Sequence, residues 1–134
     1  MIALGHHTTG DPDDGPPVVL LHALGSSART WTMFADRLPR HSIALDLRGH
    51  GASPRPGDYS FAAMADDVLA FLDANGHTVV DVVGHSMGGA VAMYLAMRVP
   101  ERVRRMVVED IAPPPHEPVP VPEIPEPTEP VDFD

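Results

Sequence analysis

The sequence predicts an α/β fold: a mostly parallel sheet with helices on both faces. Three observations support this. Short continuous apolar runs take turns with helical patterns, the rhythm of strands joined by crossover helices. Three of those runs end in glycine-bearing motifs, one of which leads from a valine-rich run straight into small and apolar residues of helical character. At 134 residues and 43% hydrophobic content, the chain is one domain at most, with room for a single core.

The elements follow in order. Residues 1–16 are ambiguous, and Ile2 to Leu4 with Thr8 and Thr9 could form the stub of an antiparallel hairpin. Residues 17–22 are a continuous apolar run and read as a buried strand. Thr30 reads as an N-cap, after which Trp31, Phe34 and Leu38 share one helix face. A second strand spans 42–46. Beyond a Gly/Pro-rich loop, Ser60 caps a helix whose apolar face is Phe61, Met64, Val68, Phe71 and Leu72, and Asn75-Gly76 ends it. Residues 78–83 form the third strand. Residues 87–97 are apolar on nearly every side, which predicts a buried helix. Residues 105–111 supply a fourth strand.

The turn between the third strand and its helix carries chemistry. Gly84-His-Ser-Met-Gly88 is a Gly-x-Ser-x-Gly motif centred on Ser86. Leaving a strand and entering a helix this abruptly holds the central serine in a strained conformation, and Gly84 and Gly88 let strand and helix approach closely. The hydroxyl then projects above the carboxyl edge of the sheet, where open α/β folds bind ligands. The helix amino terminus aims free amides at the same spot, and Met87 N–H is the natural first donor to a developing oxyanion. An incidental serine in a glycine-rich turn is the bland alternative; the strand before and the helix after favour the nucleophile.

Composition excludes other classes. The formal net charge is -10, of which residues 113–134 carry -6 and the preceding 112 residues -4. Such a chain repels phosphate backbones and anionic membrane surfaces, so neither nucleic acid nor membrane is an expected partner. With no cysteine, disulfides, thiolate metal sites and cysteine nucleophiles are excluded. No Walker loop or His-Glu-x-x-His motif is present, and neither a metal nor a cofactor is expected. No signal-peptide pattern or membrane span is visible at the amino terminus, so a cytoplasmic location is the default expectation.

Two further motifs, Leu20-Leu-His-Ala-Leu-Gly-Ser-Ser27 and Asp46-Leu-Arg-Gly-His-Gly-Ala-Ser53, end predicted strands. With Gly-His-Ser-Met-Gly-Gly they resemble the α/β-hydrolase family, in particular its cap-bearing esterase-like, haloperoxidase-like and carbon-carbon-bond hydrolases. The resemblance covers residues 17–115, roughly the first half of a family member. It implies that Leu24 N–H is a second oxyanion donor, although Ala23 stands where the family usually has glycine, at a steric cost if positive φ is needed. It assigns Arg48 and His50 a scaffold role. Relatives that open epoxides or displace halides carry aspartate at the nucleophile position, so Ser86 favours acyl chemistry on an ester-like small molecule.

The same resemblance places the acid and the base of the triad after the serine. Glu109 and Asp110 stand at the end of the fourth strand, where some relatives place the acid; Glu109 is the better match by register and the candidate acid, although a charged strand end facing solvent is the favoured reading. None of the eight histidines stands where the family has its base, and His116, the only one after Ser86, lies in a segment with nine prolines among twenty-two residues. The expected division is therefore residues 1–112 as the amino-terminal part of a hydrolase core and 113–134 as a disordered tail or the start of a cap linker, with the chain truncated after the strand following the elbow helix. Truncation would leave the fourth strand as a sheet edge without its covering helix. Pro122-x-x-Pro125 and Pro127-x-x-Pro130 could bind an aromatic groove weakly, but a plain linker is the favoured reading. Two functions follow. One is a serine hydrolase using Ser86 with the Leu24 and Met87 amides, incomplete in this chain; the alternative is a noncatalytic hydrolase-like fragment or interaction module with a proline-rich arm.

Overall fold

The structure is a computed structural model that describes residues 2–111. Five strands form one sheet: β1 (His6–Thr9), β2 (Val18–Leu21), β3 (Ser42–Leu45), β4 (Val80–His85) and β5 (Val103–Glu109), in the spatial order β1-β3-β2-β4-β5. All neighbouring pairs are parallel except β1 with β3, which is antiparallel. The amino-terminal residues thus form no hairpin with β2, their neighbour in sequence, but add an antiparallel edge strand to β3. The proline-rich segment and its Pro-x-x-Pro spacings lie outside the described residues, as does His116.

Alternation within the strands decides which helix packs where. Val19 and Leu21 of β2, Ile43 and Leu45 of β3 and Val80 and Val82 of β4 face α2 (Phe61–Ala74) and α3 (Met87–Arg98), and are joined there by Met64, Val68, Leu72, Val91 and Leu95. The alternate residues of the pleat, Val18, Leu20 and Ala44, face the other way onto Ala28, Trp31 and Ala35. Helices therefore cover both faces of the sheet, as the alternating pattern predicts.

The element before β3 differs from expectation. A helix capped by Thr30 is predicted, whereas a 3-10 turn at Ala28–Trp31 precedes the short α1 (Thr32–Ala35). Asp46 causes the early start: its carboxylate accepts Ala28 N–H at 2.7 Å and pulls the chain into a turn before Thr30 is reached. By contrast α2 is bounded as predicted. The Ser60 hydroxyl accepts Ala63 N–H at 3.2 Å, and at the other end Gly76 takes φ +72 while His77 N–H returns to the Leu72 carbonyl at 2.9 Å.

Helix α3 is a second departure. Its inner face is buried from Met87 to Leu95, but Tyr94 is 41% and Met97 77% exposed, so the helix is one-sided despite its apolar composition. The open side forms a groove of about 500 Å³ with Phe61, Met106 and Ile111. It exists because β5 is the sheet edge among the described residues, leaving Met106 and Val107 largely exposed.

Strand order creates the site. The chain runs from β2 outward to β3, crosses back through α2 to β4 on the opposite side of β2, and continues through α3 to β5. The order in which strands are added reverses between β2 and β4, which remain parallel, so their carboxyl ends flank the crevice in which open α/β sheets bind ligands. Leu21 pairs with Gly84 at that end, which sets Leu24 three residues and Ser86 two residues beyond a shared register point.

Candidate active site

Ser86 has φ 49 and ψ -113, and with Asp110 it is one of the two non-glycine residues of positive φ among the described residues. A side chain in this region of φ/ψ space is strained, and the surrounding packing holds it there. Gly84 and Gly88 are part of that packing. A Cβ at Gly84 would lie closer than 3.0 Å to the Gly88 carbonyl, and one at Gly88 equally close to the Leu21 and His22 carbonyls. All of these obstacles are backbone, which cannot swing aside. Ser86 N–H donates to the Glu109 carbonyl at 2.9 Å, so β5 pins the elbow from the other side, and Ala90 N–H donates to the Ser86 carbonyl at 3.1 Å to start α3.

Of the two amides expected to hold an oxyanion, one opens α3 and the other lies in the loop after β2. Met87 is the first residue of a twelve-residue helix, so its N–H has no partner within α3. Leu24 sits at the tip of the loop after β2, its side chain 76% exposed. Among the described residues, neither amide donates a hydrogen bond to another backbone group outside the regular elements. Ala23 does not have positive φ; Gly25 does, at +74, so the turn takes its left-handed residue two positions later and the alanine carries no steric cost.

Two buried carboxylates brace this edge. Asp46 accepts Ala28 N–H through Oδ1 and Ala52 N–H at 2.9 Å through Oδ2, and the Ser53 hydroxyl donates to the Asp46 carbonyl at 2.5 Å. Gly51, φ +50, lets the turn close over that carboxylate. Asp67, on the inner side of α2, accepts from Nε of Arg48 at 2.6 Å and from Nη2 at 2.8 Å, while Nη1 donates to the Asp58 carbonyl at 2.8 Å. Hydrogen bonding to Asp67 raises the already high pKa of Arg48. Arg48 and His50 are thus scaffold groups, as the resemblance implies. Asp67, the partner of Arg48, is not a residue that the sequence motifs single out, although a charge on the apolar stripe between Met64 and Val68 is the available signal.

Five of the described histidines are engaged elsewhere. His22, fully buried, accepts Leu47 N–H at 3.0 Å through Nε2 and presents Nδ1 to the Ala23 carbonyl at 2.8 Å. Burial lowers its pKa below the ordinary value. His50 accepts Gly25 N–H at 3.1 Å and presents Nδ1 to the Arg48 carbonyl at 3.0 Å. His41 faces the Thr9 carbonyl and His6 the Leu4 carbonyl. His85 directs Nε2 toward Asp110, 3.7 Å away. Among the described residues, no hydrogen bond joins a histidine to the Ser86 hydroxyl. Glu109 stands at the carboxyl end of β5 opposite His85, its side chain exposed and its carbonyl on Ser86 N–H. Asp110, strained at φ 56 and 83% exposed, is the carboxylate nearer the elbow histidine; nothing in the sequence marked its backbone.

What the arrangement can do chemically is limited and specific. A hydroxyl held on a sharp turn between two amide-bearing segments can attack a carbonyl whose oxygen those amides receive. No group of three or more His, Asp or Glu suited to a metal ion occurs among the described residues, and no helix there is long and apolar enough to cross a membrane.

Comparison with known proteins is consistent with this geometry. A family model described as the alpha/beta hydrolase fold matches residues 16–132. The sn-1-specific diacylglycerol lipase ABHD11 of Mus musculus is 40% identical over 102 residues, covering 73% of this chain and 33% of the lipase. Lipase LipV of Mycobacterium tuberculosis is 43% identical over 100 residues, covering 73% of this chain and 38% of LipV. Among solved structures, a marine microorganism esterase superposes with a TM-score of 0.81 at 32% identity, over 88% of this chain and 45% of the esterase. The chain thus spans between a third and two fifths of the length of these curated relatives.

Proposed function

The chain belongs to the α/β-hydrolase fold family, and from that premise we propose that it carries the nucleophile half of a serine hydrolase acting on ester-like small molecules. The observation that carries the reading is the Ser86 backbone, φ 49 and ψ -113, at the turn where β4 meets α3. Strain of this kind persists where structure over-determines it, and it clusters at reactive groups.

In the proposed reaction the Ser86 oxygen attacks the ester carbonyl carbon and its proton passes to a base. The oxyanion rests on the Leu24 and Met87 amides, the alkoxide leaves with a proton, and water then cleaves the acyl-enzyme to the free acid. Two preorganised donors of this sort supply about 3 kcal/mol each. Glu109 is the proposed acid. We assign the base to none of the described histidines, since none of them hydrogen-bonds the Ser86 hydroxyl and His22 and His50 have both ring nitrogens engaged elsewhere. It enters from protein outside residues 2–111. Residues 113–134 are proposed as the link toward that remaining part, in keeping with relatives of which this chain covers about a third.

Incubation with p-nitrophenyl acetate, followed by intact mass and peptide mapping, tests the reading. Acetylation at Ser86 in preference to Ser26 and Ser60, absent from Ser86→Ala, is the expected result. An unmodified Ser86 under conditions that acetylate the other serines would remove it.

A further inference from the structure

A chain of hydrogen bonds runs from the core of α2 to the loop after β2. Asp67 grips Arg48 through two bonds; the Arg48 carbonyl faces Nδ1 of His50 at 3.0 Å; and Nε2 of His50 faces Gly25 N–H at 3.1 Å. The tautomer follows from the partners. A carbonyl only accepts and an amide only donates, so Nδ1 carries the proton and Nε2 is the acceptor.

The loop tip has little else to hold it. A Cβ at Gly25 would meet nothing within 4 Å, and the Leu24 side chain is largely exposed, so packing does not fix the tip. Its two peptide groups are fixed by hydrogen bonds instead. The Ala23 carbonyl, on the same peptide as Leu24 N–H, accepts from His22 Nδ1 at 2.8 Å and from Ser26 N–H at 3.1 Å. The next peptide is held at Gly25 N–H by His50, whose ring lies 4.9 Å from that of His22.

We propose that His50 is a positioning residue for the loop that presents Leu24 N–H: it fixes the Leu24–Gly25 peptide from the Asp46-to-Ser53 turn and so aims the amide toward the elbow. The proposal rests on the reading of Ser86 for its consequence, but the clamp itself is measurable without any reaction. His50 touches no reacting atom. It acts through Gly25, and Arg48 and Asp67 anchor it.

The test is nitrogen NMR of the uniformly labelled 134-residue chain. A scalar coupling across the hydrogen bond between Gly25 N and His50 Nε2 is expected in the unsubstituted protein. His50→Asn keeps a group that reaches the Arg48 carbonyl but cannot reach Gly25, so Gly25 amide exchange should rise roughly five- to tenfold, the loss of one ordinary hydrogen bond. His50→Gln places an amide oxygen near the Nε2 position and should restore protection, a rescue that a merely space-filling role would not produce. Amides of α2 serve as the folding control. Absence of the coupling, or exchange in the Asn variant equal to that of the unsubstituted chain, overturns the proposal; the coupling is read without substitution, so misfolding of a variant leaves it decisive. The acetylation assay separates the two claims. If Ser86 acetylates equally fast in the Asn variant, the positioning role fails and the nucleophile stands, whereas no acetylation in any form removes the nucleophile and leaves the clamp to the coupling.

Discussion

Replacing Ser86 by glycine should stabilise this protein, and the size of the gain follows from its backbone. At φ 49 and ψ -113 a residue bearing a Cβ stores about 1–3 kcal/mol of strain, which glycine does not feel. Glycine also enlarges the freedom of the unfolded chain, at a cost of roughly 0.5–1 kcal/mol. The net expectation for Ser86→Gly is a gain on the order of 1 kcal/mol, or about 4 °C in Tm for a chain of this size. Ser86→Ala separates backbone from side chain: it retains Cβ, and the hydroxyl makes no cap hydrogen bond, so its stability should stay within about 0.5 kcal/mol of the unsubstituted chain. Urea unfolding of the three proteins, followed by circular dichroism with m held common, measures the difference. A glycine variant no more stable than the alanine variant would refute the claim that the elbow stores strain at Ser86.

Other expectations follow from the same packing. Gly88→Ala drives a Cβ into the Leu21 and His22 carbonyls and should cost about 2 kcal/mol or more, while Gly57→Ala, with open space around it, should change little; parallel urea curves compare them. Arg48→Met leaves Asp67, 1% exposed, without its cation and should destabilise by about 3–5 kcal/mol, with Arg48→Met/Asp67→Leu recovering most of that in a double-mutant cycle. Acid unfolding should proceed in two stages. Burial lowers the His22 pKa below its ordinary 6.5, so stability begins to fall as pH drops beneath 6.5, where the unfolded histidine takes a proton first. Arg104 and Arg40 hold Asp81 at about 2 against an ordinary 3.8, so its contribution is present above pH 3.8 and is lost as pH falls through about 2. That second stage amounts to about 2 kcal/mol, and Asp81→Asn should abolish it in a pH series of thermal melts.

What the sequence made legible is what periodicity and local chemistry encode. The crossover rhythm, the cap at Ser60, the stop at Gly76 and the elbow glycines are each set by residues within a few positions, and each appears in the fold where expected. Long-range partners were not legible. Asp46 reaches eighteen positions back to Ala28 and moves a helix start that Thr30 alone would have capped, and β1 reaches across to Ser42 and Leu45 in place of pairing with its neighbour in sequence. Composition also misled about α3, because apolar residues on every side say nothing about whether a neighbour covers the outer face. The scaffold role of Arg48 and His50 is implied by the resemblance, yet the route by which His50 reaches the loop after β2 depends on ring nitrogens whose partners only the fold brings together.

The central claim is that the elbow singles out one serine. A fluorophosphonate probe applied to the 134-residue chain, with the labelled peptide mapped by mass spectrometry over time, tests it most directly. Selective modification of Ser86 ahead of Ser26, Ser27 and Ser60, at a modest rate because no described histidine engages its hydroxyl, is the predicted result. Labelling spread evenly over the exposed serines, with Ser86 no faster than the rest, would contradict it.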